Sequence, residues 1–260
     1  MTPAMGSRDR QAKAERALHD QTNILPRSQL ILVFATLSAT LLICYLDQNG
    51  ITVALPTIAS DLHGEDTVSW AGTASLIANT TFQMLYGRLS DIFGRKAVYL
   101  GAVALLIVAD LLCGLSQNAP MFYVFRGVAG IGGGGIANLS MIIVSDIVTL
   151  DQRGKYQGII GAMVGLGNIA GPFLAAAFLE KTTWRAFFYT LAPMVAIVWL
   201  TAFFLLPTNP PTTGLRDGLN KIDYAGSLAS SVAVIFILIP ISGGAFFTSV
   251  NDLRSPCFIS

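Results

Sequence analysis

Three charged residues lie within long apolar stretches of the sequence, where a charge is costly to bury. Asp47 lies in ICYLDQNGITVALP, Asp110 in LLIVADLLCG, and Arg126 begins the run RGVAGIGGGGIANLSM. A charge at the centre of a bilayer costs about 2.5–3.5 kcal/mol on insertion scales, so such residues usually face inward and serve a function. We therefore expect proton binding or ion pairing at these three positions.

The sequence leaves more than one interpretation open for each of them. Asp47 could carry protons, or it could be a structural carboxylate that a neighbouring helix satisfies. Asp110 could be a second proton or cation site, or it could only pair with Arg126. Arg126 is the one basic residue inside an apolar stretch rather than at its edge, so it needs a carboxylate or carbonyl partner.

Uncharged polar residues accompany these charges. Gln48 and Asn49 directly follow Asp47, and the next apolar stretch, WAGTASLIANTTFQMLYGRLSD, contains Asn79 within a polar face. Such a face could line a pathway for a ligand, or its amides and hydroxyls could hold membrane helices together. Gln48, Asn49 and Asn79 are our candidates for a substrate pathway.

A short charged segment, YGRLSDIFGRKAVYL at residues 86–100, connects two of the apolar stretches. Helices joined by so short a connection must be antiparallel neighbours, and glycines let the backbone turn tightly. Its basic side chains predict a cytoplasmic location by the positive-inside rule. The residues that we expect to form a gate there are Gly87, Arg88, Asp91, Gly94, Arg95 and Lys96.

Small residues form two stripes along the stretch near residues 155–179. The first stripe comprises Gly158, Gly161 and Gly165, and the second comprises Gly167, Gly171 and Ala175. At about 100° per residue the two stripes lie roughly 200° apart on a helix. A helix that is smooth on two faces can pack tightly against two neighbours, and Pro172 would bend it. Ordinary close packing without a functional meaning is the alternative.

Composition identifies the kind of protein that must hold these residues. Hydrophobic residues make up 53% of the 260-residue chain and charged residues 12%, and the mean hydropathy is +0.62. Soluble domains carry about 25% charged residues, so this is an all-α membrane protein with several spans. The three cysteines and two histidines follow no metal-ligand spacing, and no basic cluster indicates nucleic acid. We expect no metal, no cofactor and no nucleic-acid partner.

Seven apolar stretches reach the length of about 20 residues that crosses a bilayer. They fall near residues 30–59, 67–87, 97–116, 121–148, 155–179, 186–206 and 225–247. With the N-terminus in the cytosol, twelve basic residues lie on the cytoplasmic side and three outside, which fixes the orientation. The predicted units are a cytosolic disordered tail at 1–28, a six-span bundle at 29–206, a cytoplasmic linker at 207–224, a seventh span at 225–248 and a polar tail at 249–260.

Four motifs at different positions along the chain resemble motifs of one family of secondary transporters. The pattern G-x-L-x-D-x-x-G-R-K within 86–100 resembles the loop between spans two and three of the major facilitator superfamily. L-D followed by V-A-L-P at 46–56 resembles the first-span motif of its fourteen-span drug:proton antiporters, particularly fungal ones. The run from Arg126 resembles the fourth-span motif R-x-x-x-G-x-G, and GLGNIAGPFLAA resembles the antiporter motif of exporters.

The resemblance implies roles for particular residues. In the family the first-span aspartate is associated with proton coupling, which we carry to Asp47, and the fourth-span arginine, here Arg126, is linked to proton transfer. Asp146 matches an acid that pairs with the loop arginine, here Arg95, so Asp146 is the seventh residue that we expect in the cytoplasmic gate. The antiporter motif would place Gly161, Gly165, Gly167, Gly171 and Pro172 in helix packing typical of exporters.

The implied protein is a transporter and not an enzyme. We expect it to export small, amphipathic or toxic organic compounds in exchange for protons by alternating access. Its partners would be the substrate, protons and the lipid bilayer of the plasma membrane, with the vacuolar membrane as the alternative. An uptake carrier for a sugar or iron chelate, and a non-transporting regulatory fragment, are the alternative functions.

The family's transporters contain two six-helix halves, and this sequence predicts one N-terminal half plus one further span. We expect a truncated chain whose second half is absent. Alone it should be unstable or inactive, unless it pairs with a second half or a second copy.

Overall fold

Six long helices account for most of the part of the chain that the structure describes. The computed structural model describes residues 26–207 and positions 226, 229, 232, 233 and 236. The helices are α1 (Arg27–Asp61), α2 (Ser69–Phe93), α3 (Arg95–Leu115), α4 (Ala119–Ile147), α5 (Leu150–Lys181) and α6 (Trp184–Leu205), with one 3-10 turn at Glu65–Thr67. Each helix falls on a predicted apolar stretch, and the all-α fold is confirmed.

The remaining predicted units lie almost entirely outside the described residues. These are the tail at 1–28, the linker at 207–224, the seventh span at 225–248 and the tail at 249–260. Among the described helices, five are long and apolar enough to cross a membrane, namely α1, α3, α4, α5 and α6. Helix α2 is 25 residues long but is not among these five, because its polar residues lower its mean hydropathy.

The helix ends follow local chemistry. The side chain of Asn118 accepts a hydrogen bond from the backbone N–H of Met121 at 3.0 Å. The first turn of α4 also contains a proline, whose missing N–H costs little because the first N–H groups of a helix have no partner within it. Only Gly94 separates α2 from α3. Its φ of 91° is a backbone conformation that glycine adopts readily and that residues with a side chain rarely adopt. The segment that we predicted as a loop at 86–100 is therefore mostly helical, with its reversal concentrated at one residue.

Helix α4 lies between α2 and α3, and its glycines bring the three backbones close together. A Cβ atom at Gly134 would lie 2.5 Å from the carbonyl oxygen of Asn79 in α2. A Cβ atom at Gly130 would collide with the carbonyl oxygen of Ser75, also in α2. On the other side, a Cβ atom at Gly132 would lie 2.9 Å from the carbonyl oxygen of Ala102 in α3. Close approach of this kind needs small residues at the interface.

Helix α1 packs mainly against α5 and α6, and α6 also packs against α3. At the end of α1 the indole N–H of Trp184 donates to Oδ2 of Asp61 at 2.8 Å, and Trp184 joins Phe122, Phe187 and Phe188 in a buried aromatic cluster. These contacts close the bundle and hold the middle of α1 opposite α4.

Candidate functional site

A fully buried ion pair joins α1 to α4. Nη1 of Arg126 donates to Oδ1 of Asp47 at 2.9 Å and to Oδ2 at 3.0 Å, and each side chain is only 1% exposed. A charge-assisted bond of this kind is about twice as strong as a neutral one. The partner that Arg126 requires is therefore Asp47, which the sequence alone did not identify.

Asp110 of α3 is a second buried acid close to this pair. It is 0% exposed, and neither of its carboxyl oxygens has a hydrogen-bond partner in the described part of the chain. It interacts electrostatically with both Asp47 and Arg126. The interpretation that Asp110 serves only to pair with Arg126 is therefore wrong for this structure, because the guanidinium binds the other acid.

A cavity of about 440 Å³ opens beside the ion pair. Arg126 lines this cavity, and so do Gln48 and Asn49. The other lining residues are Ile51, Thr52, Leu55, Ser69, Gly72, Thr73, Ser75 and Leu76. Cavities of about 300–1,000 Å³ hold drug-sized ligands, so the site can accommodate a small organic molecule against amides, hydroxyls and one cation.

Two of the three predicted pathway residues line this cavity, and the third does not. The amide of Asn79 lies beside Gly133 of α4, where a Cβ atom would be 3.5 Å from Nδ2 of Asn79 and 2.5 Å from Nε2 of Gln48. Asn79 therefore belongs to the contact between α2 and α4, next to the cavity rather than in its wall.

Asn168 is a polar residue that our sequence analysis did not select. Nδ2 of Asn49 donates to Oδ1 of Asn168 at 2.8 Å and to the carbonyl oxygen of Tyr45 at 3.1 Å. Its signal in the sequence is a single amide within the small and apolar run GLGNIAGPF. The bond links the cavity wall in α1 to α5.

At the predicted cytoplasmic end, Arg95 connects three helices. Its Nη1 lies 2.9 Å from Oδ1 of Asp91 and donates to Ser90 at 2.9 Å, and its Nε donates to Oδ2 of Asp146 at 2.7 Å. Ser90 and Asp91 belong to α2, Arg95 to α3 and Asp146 to α4. The structure thus brings together three of the residues that we selected as a gate.

The other selected gate residues are arranged around this network. Nζ of Lys96 lies 5.5 Å from the ring centre of Phe203 in α6, and Arg88 is exposed on α2. Gly87 faces Asn138 of α4, whose amide donates to the carbonyl oxygen of Gln83 at 2.6 Å. Gly94 supplies the reversal between α2 and α3.

The two small-residue stripes of α5 have different surroundings. A Cβ atom at Gly167 would lie 2.8 Å from Cβ of Tyr45, and one at Gly171 would lie 2.8 Å from the carbonyl oxygen of Leu46. Gly161 and Gly165 have nothing within 4 Å of such an atom among the described residues. Pro172 lies inside α5, directly after Gly171. Among the described residues only the second stripe contacts α1, so packing of the first stripe stays a prediction.

Comparisons with known proteins identify relatives of this chain. Residues 37–255 match the Major Facilitator Superfamily. The chain is 54% identical over 248 residues to citrate exporter 1 of Yarrowia lipolytica, covering 95% of this chain and 36% of that protein. It is 42% identical to the MFS-type transporter clz4 of Cochliobolus lunatus, covering 93% and 44%, and 36% identical to the efflux pump dotC of Dothistroma septosporum, covering 78% and 35%.

A solved structure shares the fold. A peptide transporter POT crystallised with sulfate aligns with a TM-score of 0.61 at 17% identity, over 82% of this chain and 45% of that one. The chain spans between about a third and less than half of the length of these proteins.

Proposed function

Because the chain belongs to the major facilitator superfamily, we propose that the transporter containing these residues exports small organic compounds in exchange for protons. The observation that carries the proposal is the buried pair of Asp47 and Arg126, of which Arg126 lines a cavity of about 440 Å³. An ionisable residue inside the membrane that touches a cavity is a functional-site candidate by default. The plasma membrane is the proposed location, with the vacuolar membrane as the alternative.

The proposed coupling follows from the charge of Asp47. When its carboxylate accepts a proton, the charge that holds Arg126 is lost and the bond between α1 and α4 weakens. The two conformations of an alternating-access transporter differ by only a few kcal/mol, so one ion pair is enough to shift their populations. Each elementary charge that crosses the membrane is worth about 2.3 kcal/mol per 100 mV, which supplies the driving force.

In this proposal the network around Arg95 is the gate at the cytoplasmic end. It ties the ends of α2 and α4 to the start of α3, so closing it favours one conformation and opening it favours the other. Its acids, Asp91 and Asp146, are 49% and 37% exposed. Exposed ion pairs contribute about 0–1 kcal/mol each, so such a gate can open within a transport cycle.

Small organic acids are the substrate class that we propose first. The relative at 54% identity is named a citrate exporter. The cavity wall contains Arg126, two side-chain amides and four hydroxyls, and among the described residues none that lines it is acidic. A wall of hydrogen-bond donors suits carboxylate groups. Relatives at 32–36% identity are named efflux pumps, which supports amphipathic or toxic compounds as a second candidate class.

The experiment is a flux measurement in vesicles that contain the purified transporter. A pH gradient is imposed, and the movement of citrate, smaller carboxylates and apolar toxic compounds is followed for each in turn. We expect the carboxylates to move against their gradient only while the pH gradient lasts. Movement that is indifferent to the pH gradient would refute proton coupling, and movement of the apolar compounds alone would favour the second class.

A further inference from the structure

Asp110 is a buried acid for which the proposed exchange has so far required no role. Both of its oxygens lack a hydrogen-bond partner in the described part of the chain, although no part of the side chain is exposed. Nε of Arg126 is also buried without a partner there. Cys113, one turn further along α3, borders the same guanidinium. Asp110 and Cys113 thus lie on the same face of α3.

The charges at this site do not balance if every group is ionised. Asp47 and Asp110 would contribute two negative charges and Arg126 one positive charge, which leaves an isolated charge away from water. Such a charge is very costly unless it is paired and hydrogen-bonded. Two carboxyl groups that share a site commonly hold one proton between them. Asp47 already accepts both bonds from Arg126, so the proton belongs on Asp110.

We propose that Asp47 and Asp110 share one proton and alternate as the partner of Arg126. In this proposal, the arrangement seen in the structure has an ionised Asp47 bound to Arg126 and a neutral Asp110. When a proton binds Asp47, the guanidinium transfers to Asp110, whose own proton leaves. One proton enters and one departs, and Arg126 stays charged and paired throughout. The use of this exchange in transport rests on the proposed function, whereas the shared proton does not.

Arginine has the geometry for such a transfer. Its guanidinium carries five N–H donors in a rigid fork, and only Nη1 binds Asp47. Asp47 binds Arg126 from α1, and Asp110 is buried on α3, so the two acids belong to different helices. A rotation of the side chain can then exchange partners while the packing of α3 on α4 is kept.

The first test is a mutational cycle on the purified 260-residue chain in detergent micelles, read by thermal unfolding. Asp47→Asn and Asp110→Asn each leave Arg126 one acid, so we expect small losses in Tm. The double variant leaves a buried charge without a partner, so its loss should exceed the sum of the single losses. Adding Arg126→Gln should restore much of the Tm. Additive losses, or no restoration, would overturn the proposal.

The second test is infrared spectroscopy at neutral pH, which detects the C=O stretch of a protonated carboxyl group. We expect this band in the unmodified chain and in the control Glu180→Gln, an exposed acid of α5. Asp110→Asn should remove it. Asp47→Asn should remove it as well, because Asp110 must then ionise to pair with Arg126.

The result for Asp47→Asn separates this proposal from a simpler one. A neutral Asp110 that plays only a packing role would keep its band in that variant, and this outcome would refute the exchange of partners. Absence of the band in the unmodified chain would refute the shared proton. Neither measurement involves transport, so a failure of the proposed export activity would leave both results unchanged.

Discussion

Nε of Arg95 donates to Oδ2 of Asp146 at 2.7 Å, and this bond fastens the start of α3 to the end of α4. The same guanidinium reaches Asp91 of α2 through Nη1 at 2.9 Å. One side chain therefore holds three helices at the predicted cytoplasmic end. This network can be altered without touching the cavity, because none of its residues lines that cavity.

Asp91→Asn should slow turnover and leave the affinity for substrate nearly unchanged. The variant removes one of the two carboxylates that hold Arg95, and a half-exposed pair is worth at most about 1 kcal/mol, or roughly fivefold in a rate. Turnover and half-saturating substrate concentration in vesicles are the measurements. A collapse of binding with an unchanged rate of interconversion would contradict the gate.

In a complete transporter that contains this chain, Asp47→Asn should abolish proton-driven exchange while the protein is still made and inserted. The amide keeps the shape of the side chain but cannot carry a proton across the cycle. Glu180→Gln removes an exposed acid of α5 and should exchange normally, so it serves as the matched control. Substrate flux under a pH gradient is the measurement, and normal flux in Asp47→Asn would rule out this residue as the proton carrier.

Gly171→Ala should destabilise the bundle, and Gly165→Ala should not. The added Cβ atom at residue 171 meets backbone atoms of α1 at 2.8 and 3.0 Å, which cannot rotate away. Overpacking of this kind typically costs about 1–3 kcal/mol. At residue 165 nothing lies within 4 Å among the described residues, and alanine favours a helix by about 1 kcal/mol over glycine. Equal melting temperatures for the two variants would contradict the packing of α5 on α1.

Asn168→Ala should lower stability by about 1 kcal/mol, since it removes a hydrogen bond that spans two helices. Asn49→Ala should have a similar effect, because it removes the other half of the same bond. If the two act through that bond, the double variant should lose little more than either single variant. Thermal unfolding measures this, and fully additive losses would show that the two amides act separately.

Vesicles that contain the 260-residue chain alone should show no exchange. Transporters of this fold place the substrate site between two six-helix halves, whereas the described residues that line the cavity belong to α1, α2 and α4. Co-expression with the part of the 54% identical citrate exporter that this chain does not cover should restore flux. Transport by the chain alone as a monomer would overturn this expectation.

The sequence predicted the helices well, because length and hydropathy are local properties. Each predicted stretch at 30–206 became a helix, and the resemblance drawn from four motifs was confirmed by the family match. Helix α2 deviates for a local reason too, since Asn79 and its polar neighbours reduce its hydropathy. Local patterns of this kind need no knowledge of the partner helices.

The partners of the charged residues could not be predicted in the same way. Asp47 and Asp110 are both acids in apolar helices, and 79 residues separate Asp47 from Arg126. Which acid binds Arg126 depends on the rotation and depth of α1 and α3 against α4, and sequence spacing does not contain either quantity. The same reason explains why Asn168 was not selected and why only one glycine stripe of α5 contacts α1.

The glycines of α4 also determine how the charge site tolerates insertions. Gly130 and Gly134, four and eight residues beyond Arg126, bring the α4 backbone directly against the α2 backbone, with no side chains in between that could readjust. One extra residue between Arg126 and Gly130 would turn them relative to each other by about 100°. Either the arginine would swing away from Asp47, or a larger side chain would be driven into the backbone of α2. The length of the segment GVA between Arg126 and Gly130 is therefore fixed at three residues, whereas the types of those residues can vary more freely.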